Sequence, residues 1–174
     1  MTEESGFPEL VRDLMTVGVF TCTADTPIVD LVPHFVEKDL EEAMVMEDGN
    51  AIGVIGREEL VSALENPEWR SLKVENLMRE DFLIIPPETP LALAVKLMQD
   101  KKVRAAFMIH NAAGLIYPAG ILTYRHILHL MAAKTPEDLS QFGINASRQS
   151  PLEAFIQKRD AAIKKARENR RKHS

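Results

Sequence analysis

The stretch from Val11 to Ile28 reads VRDLMTVGVFTCTADTPI, and the stretch from Val74 to Leu91 reads VENLMREDFLIIPPETPL. Laid over one another, Val11 meets Val74, Leu14 meets Leu77, Met15 meets Met78, Thr26 meets Thr89 and Pro27 meets Pro90, every pair 63 positions apart. Further along, Gly53-Val54-Ile55 meets Gly120-Ile121-Leu122 at a separation of 67. The second copy has therefore gained four residues, and Asn111 to Pro118, with Gly114 and Pro118, is where a lengthened hairpin turn fits. A repeat decides the architecture before any single element does. A unit of about 60 residues is marginal alone, so the two copies are expected to pack sheet to sheet around one core.

Within each copy the first apolar stretch, Val17 to Thr23 and Phe82 to Ile85, is short and rich in β-branched and aromatic residues, which predicts a strand. Thr26-Pro27 and Thr89-Pro90 then predict an N-cap and a first helical residue. Ile28, Leu31, Val32 and Phe35, and in the second copy Leu91, Ala94, Val95 and Met98, follow at helical spacing. Pro33 lies inside the first of these helices and predicts a kink or an early end. Strands over 42–46 and 51–55 join at Asp48-Gly49, a hairpin signal, and 105–109 with 117–122 are their counterparts. Second helices start near Arg57 and near Tyr124. The fold class is α+β: strand, helix, strand, strand, helix, twice, as one pseudo-two-fold module followed by C-terminal helices. The organisation is an N-terminal segment 1–9, repeat one 10–64, a linker 65–73 with Asn66-Pro67, repeat two 74–133, and a basic extension 134–174. Trp69 in the linker is expected over the interface between repeats, and Met15, Met44, Met78, Met98 and Met131 are expected to fill the core.

With 45% hydrophobic and 27% charged residues over 174, the composition is that of a globular chain. No apolar run approaches the about 18 to 20 residues of a membrane span, and the acidic start Met1-Thr2-Glu3-Glu4 is unlike a signal peptide. These features predict a cytoplasmic protein. The lone Cys22 excludes an intramolecular disulfide and predicts a small buried hydrophobe. The net charge of -5 hides an asymmetry: residues 157–174 carry eight Lys or Arg against Asp160 and Glu168, a tail of +6 on a body of -11. A body this acidic repels phosphate polymers and disfavours nucleic acid as a partner.

These residues resemble a tandem CBS-domain pair, the Bateman module, over roughly 10–133. The carriers are Arg12-Asp13-Leu14-Met15-Thr16, the Ala24-Asp25-Thr26-Pro27 and Pro87-Glu88-Thr89-Pro90 helix starts, Lys102-Val103-Arg104 before a strand, and Gly120-Ile121-Leu122-Thr123-Tyr124-Arg125-His126. The resemblance implies an adenosine-binding regulatory module that dimerises, with AMP, ADP, ATP or S-adenosylmethionine as the candidate ligand and no cofactor required. In that family the third strand ends in Gly, two apolar residues, Thr or Ser, two variable residues and Asp. A hydroxyl and N–H groups at a helix start favour phosphate, and a carboxylate accepts from the ribose hydroxyls.

Carried over, the hydroxyl position is Gly56 in repeat one and Thr123 in repeat two, and the carboxylate position is Glu59 and His126. Neither copy keeps the full pattern. Repeat two retains Arg104, Thr123 and Arg125, with His126 able to donate or accept, whereas repeat one has Glu41, Glu42 and Glu59 with only Arg57 to offset them. One nucleotide per chain near Thr123 is therefore expected, with Tyr124, Phe82, Ile84, Thr21, Glu59 and Arg57 as further contributors. The plain alternative for Thr123 is an N-cap for the helix at Tyr124.

No Gly-x-Ser-x-Gly elbow, Walker loop, dinucleotide glycine fingerprint or zinc-protease motif is present, so the reading is non-enzymatic. His126 and His129 are three apart on one helix, an unspecific spacing without a third ligand. Glu41 and Glu42 face opposite sides of a strand and form no carboxylate pair by themselves. In the extension, Thr135-Pro136-Glu137-Asp138 opens a short helix that Gly143 ends, and Ser150-Pro151-Leu152-Glu153 opens a second. Leu152, Phe155, Ile156 and Ile163 give that second helix an apolar stripe for a dimer or partner contact. The expected function is a sensor acting by population shift on an unidentified effector protein. The alternative is a homodimerisation or interaction scaffold with a degenerate nucleotide site, working through its basic helix.

Overall fold

The computed structural model describes residues 7–112, 115–142 and 144. The chain runs through a one-turn helix α1 (Val11–Leu14), β1 (Thr16–Val17), β2 (Thr21–Cys22), α2 (Ile28–Glu37), β3 (Glu42–Glu47), β4 (Asn50–Gly56) and α3 (Arg57–Ser62). After three 3-10 turns come β5 (Leu83–Ile84), α4 (Leu91–Asp100), β6 (Ala105–Ala112), β7 (Leu115–Thr123), α5 (Tyr124–Ala132) and α6 (Asp138–Gln141). The duplicated pattern holds, and the four extra residues of the second copy lengthen the β6–β7 hairpin, which pairs out to Ala112↔Leu115.

The expected first strand of repeat one is broken in two, and its halves go to different sheets. Thr16 and Val17 pair antiparallel with Ile121 and Gly120 of β7, whereas Thr21 and Cys22 pair parallel with β3. The sheets are β1-β7-β6-β5 and β2-β3-β4. Gly18, at φ +85°, is the turn between the halves.

This split is part of a reciprocal exchange of arms. The first arm lies on repeat two: Val11 and Arg12 N–H donate to the Thr89 and Pro87 carbonyls, both at 2.9 Å. Val11 and Leu14 are fully buried there beside Met98 and Leu122. The arm before repeat two lies on repeat one: Val74 and Glu75 N–H donate to the Thr26 and Ala24 carbonyls, and Val54 and Arg79 exchange two bonds of 2.8 Å. Val74 is buried among Leu31, Phe35 and Ile55. The arms pass so close that a Cβ on Gly53 would stand 2.6 Å from the Arg79 carbonyl oxygen, and one on Gly120 would stand 2.9 Å from that of Thr16.

The exchange also explains why both helix starts fall one residue later than expected. Pro27 and Pro90 are the caps rather than the first helical residues. Their extended backbone needs no side-chain cap, because the first helical N–H groups of Ile28 and Leu91 donate to Leu72 and Glu9 of the arms. Thr26 instead turns back, its hydroxyl accepting from Thr23 N–H at 3.2 Å. Helix α2 runs ten residues through Pro33, the same length as α4, so the expected early end is not found.

Between the sheets, Met44 and Val54 of one repeat meet Ala105 and Phe107 of the other, flanked by Val19, Phe82 and Ile121, which is the shared core. Cys22 packs beside the repeat-one core, and burial pushes its thiol up to about 11. Met44 and Met98 are buried, but Met131 is 75% exposed on α5, against expectation, because its face of that helix points outward. The turn carrying Trp69 packs on α2 of repeat one rather than over the interface between repeats, with the Arg70 guanidinium 4.5 Å above the ring. Helix α6 forms where Pro136 and Asp138 predict it, and Leu139 and Ile144 are buried in the repeat-two core. The stripe of Leu152, Phe155, Ile156 and Ile163 lies outside the described residues. Among the described residues no helix is long and apolar enough to cross a membrane.

Candidate functional site

Two adjoining clefts open where the strand ends β3 and β6 meet the helix starts α3 and α5. The first, about 240 Å³, is lined by Glu41, Glu42, Gly56, Arg57, Glu58, Glu59, Arg79, Lys102 and Arg104. The second, about 540 Å³, has an apolar wall of Tyr124, Leu128, Ala132 and Phe142, and Glu41, Arg104, Thr123, Arg125 and His129 for the rest. Glu41 and Arg104 belong to both, so the clefts adjoin. Phe142, supplied by the extension, packs against His129 with ring centroids 4.0 Å apart and the rings tilted by 49°.

At the head of the first cleft, Gly56 caps α3 and its N–H donates to Glu59 Oε2 at 2.9 Å. The other Glu59 oxygen stands 2.6 Å from Arg79 Nε, and Arg79 Nη2 donates to Glu42 Oε1 at 2.9 Å. Arg79 Nε has no aligned hydrogen-bond acceptor, so its approach to Glu59 is an ion contact rather than a directed bond. Glu42 is only 8% exposed, and its burial pushes it up to about 7 against the pull of Arg79. Of the three carboxylates that the sequence offers only Arg57 to offset, Arg57 reaches Glu41 at 3.3 Å and also pairs with Asp39 at 2.6 Å, whereas Glu42 and Glu59 are met by Arg79 from the exchanged arm. Arg79 aligns with Thr16, 63 positions earlier, but neither residue type announces its partner along the chain.

At the head of the second cleft Thr123 caps α5, and the expected donor-or-acceptor role of His126 toward a ligand is not what the structure shows. His126 Nδ1 accepts from Thr123 N–H at 2.9 Å and lies 3.0 Å from the Thr123 hydroxyl, while Nε2 is 2.8 Å from Thr16 Oγ1. Accepting at Nδ1 puts the ring proton on Nε2, from which it is donated to Thr16. Burial, with Arg125 and His129 nearby, pushes His126 down to about 4, so the ring is neutral at pH 7. Both ring nitrogens are spent inside the protein, and Thr123 is a cap with 4% exposure at the cleft floor. Tyr124 and Arg125 rise from the first turn of α5. Phe82 packs edge-on against Phe107 in the shared core, Ile84 is half exposed on β5, and Thr21 is exposed on β2. None of those three lines either cleft.

Across the clefts, Arg125 binds the Asp39 carboxylate and Arg104 Nη2 lies 3.3 Å from Glu58 Oε2. Hydrogen bonding from Arg57, with the Arg125 charge, holds the Asp39 carboxyl below the usual carboxylate range. Among the described residues no cluster of three metal-ligating side chains forms.

Comparison with known proteins gives a consistent answer. The CBS domain family matches twice, over residues 11–66 and 74–133. A curated relative, an uncharacterized protein of Methanocaldococcus jannaschii, is 24% identical over 135 residues, which are 77% of this chain and 44% of that protein. The chain thus spans under half the length of that relative. Among solved structures, a CBS domain-containing protein of unknown function from Bacillus anthracis aligns with a TM-score of 0.58 at 23% identity, covering 72% of this chain and 94% of that one. The CBS domain pair of protein MJ0100, in complex with 5′-methylthioadenosine and S-adenosyl-L-methionine, aligns with a TM-score of 0.64 at 16% identity, covering 74% and 100%. At these identities the solved structures speak for the fold.

Proposed function

The chain belongs to the CBS domain family, of which it carries two copies, and from that premise and the geometry of the second cleft we propose a non-catalytic regulatory module that binds one adenosine-containing ligand per chain. The carrying observation is the cleft of about 540 Å³ that brings Arg104 and Arg125 together with the apolar surface of Tyr124, Leu128 and Phe142. Its volume lies within the about 300 to 1,000 Å³ of small-molecule sites, and the division into cations and apolar surface suits a phosphate at one end and a base at the other. The similar fold of protein MJ0100 carries 5′-methylthioadenosine and S-adenosyl-L-methionine, which supports the same ligand class here. The first cleft, its carboxylates held by Arg79, is not read as a nucleotide site. AMP, ADP, ATP and S-adenosylmethionine are the candidates. Occupancy shifts the relative orientation of the repeats and is passed, in the cytoplasm, to an effector protein.

Calorimetric titration with AMP, ATP and S-adenosylmethionine tests this. One saturable site per chain, weakened at least tenfold in a Thr123→Ala/Arg104→Ala variant, is expected; no binding of any of the three refutes it, and turnover of any of them refutes the non-catalytic role.

A second reading, a homodimerisation scaffold, draws on one observation. Val61 and Leu64, and at equivalent positions Leu128 and Met131, are 63–75% exposed along the α3 and α5 side of the module. Apolar groups recurring at the same positions of both repeats suit a symmetric contact. Sedimentation should show a dimer that Leu64→Glu and Met131→Glu dissociate.

A further inference from the structure

Both arginines that face the second cleft are already engaged, and by carboxylates of the other repeat: Arg125 by Asp39, and Arg104 by Glu58. The pattern extends to the equivalent positions of the two repeats. Asp39 corresponds to Lys102, Glu41 to Arg104 and Glu58 to Arg125, opposite in sign at all three. Asp39 and Lys102 also share the left-handed backbone, at φ 51° and 55°, so the same turn presents an acid in one repeat and a base in the other.

We propose that Asp39 and Glu58 are a built-in competitor for the ligand: they hold the two arginines that a phosphate ester needs, so a phosphorylated nucleoside binds by displacing them and breaks the ion pairs between the repeats as it enters. This rests on reading the second cleft as a nucleotide site and adds how that site is gated. A carboxylate and a phosphate offer a guanidinium the same pair of acceptor oxygens, so one substitutes for the other without rebuilding the cleft. The exchange is also cheap on the acidic side. Asp39 keeps Arg57 at 2.6 Å after Arg125 leaves, and Glu58, 71% exposed, returns to water. The pairs given up are exposed ones, which hold only weakly. The ion pairs lost are the two that cross the cleft from repeat one to repeat two, while the exchanged arms and the shared core stay, so entry of an anion and release of the cleft rim are one event, whereas an uncharged nucleoside leaves the pairs in place.

The test is calorimetric titration of AMP and of adenosine into the wild-type chain, Asp39→Asn, Glu58→Gln and the double variant. Asparagine tolerates the left-handed backbone at position 39, so the turn is kept. AMP affinity should rise about threefold in each single variant and about tenfold in the double variant, the size expected of two exposed ion pairs, while adenosine affinity stays the same. A rise is an effect that misfolding does not imitate. Wild-type binding of AMP with no gain, or a loss, in the double variant overturns the competitor and leaves the nucleotide site standing. An equal gain for adenosine also overturns it. Wild-type and double variant both indifferent to AMP and adenosine overturn the competitor, and the site with it where ATP and S-adenosylmethionine fail to bind as well.

Discussion

The two repeats build the same corner from opposite chemistry. In repeat one a cap at Gly56 is closed by Glu59, which is held in turn by Arg79 of the exchanged arm, with Glu42 alongside. In repeat two a cap at Thr123 is closed by His126, which is held by Thr16 of the other arm, with Ala105 where Glu42 would be. Residue for residue the geometry is shared: a third-position side chain reaches back to the cap N–H and forward to the arm. One corner runs on buried charge and the other on a neutral hydrogen-bond chain. Backbone and repeat dictate the contact, and the side chains need only be mutually consistent. The consequence is a chemical asymmetry, since the charged corner lines its own cleft with carboxylates while the neutral one leaves the neighbouring cleft to Arg104 and Arg125.

The sharpest break in this comparison is Arg79→Ala. It strands Glu42 and Glu59, and unfolding in urea should show a loss of about 3 kcal/mol, the range for an unpaired buried charge. Transplanting the neutral corner, Glu42→Ala with Glu59→His and Arg79→Thr, should recover at least about 1 kcal/mol of that, because a consistent neutral set replaces a broken ionic one; a triple variant less stable than Arg79→Ala would show that the corners are not interchangeable.

Close approach of the arms is next in size. Gly53→Ala meets a backbone oxygen at 2.6 Å and should cost about 2 kcal/mol, within the range for overpacking, with Gly120→Ala costing no more, since its backbone oxygen is farther at 2.9 Å. A thermal or urea series on the two variants checks the order.

The corners should also pull against one another as pH changes. Glu42, raised to about 7, binds a proton in the folded state that the unfolded chain has released above about pH 4.5, so its contribution weakens as pH rises from 4.5 to 7. His126, lowered to about 4, stays neutral folded while the unfolded chain protonates below about 6.5, so its contribution weakens as pH falls from 6.5 to 4. Between 4.5 and 6.5 the slopes oppose, and the wild-type curve should be nearly flat there. Glu42→Gln should expose the histidine slope, stability rising with pH, and His126→Asn the reverse, each at most about 1.4 kcal/mol per pH unit. The smallest effect belongs to the exposed rim: Glu58→Gln should move stability by less than about 1 kcal/mol. A larger loss would mean that the pair between the repeats is structural rather than exchangeable.

Much of the fold was legible because its signals are local. The Asp48-Gly49 hairpin, the proline-marked helix starts and the 63-residue spacing are all readable along the chain, and the family resemblance they support is the one found. The split of the first strand was not, since Thr16–Val17 and Thr21–Cys22 differ only in which distant strand they join. A charged Arg79 in a loop reads as solvated until the exchange buries it against repeat one. Thr123, Arg104, Arg125 and Tyr124 line one cleft, as their neighbourhood in the sequence suggests, whereas His126, read from the sequence as a ligand contact, spends both ring nitrogens inside the protein. Its partner Thr16 is 110 residues away, and no local pattern announces that bond. Phe82 and Ile84 line neither cleft: the first packs into the shared core and the second stays half exposed, and an apolar strand reads alike in the sequence wherever its side chains go.

The exchanged arms also set an order of events during synthesis. Thr16 must wait for Ile121 to leave the ribosome before β1 has a neighbour, and repeat one lacks Val74 and Arg79 until the linker has passed. Neither half can finish as it emerges, contacts of long sequence separation close last, and such topologies fold slowly. A cut anywhere between the repeats would therefore yield two incomplete pieces rather than two small domains, so the gene segment that can be moved, fused or inherited as a working unit is the pair.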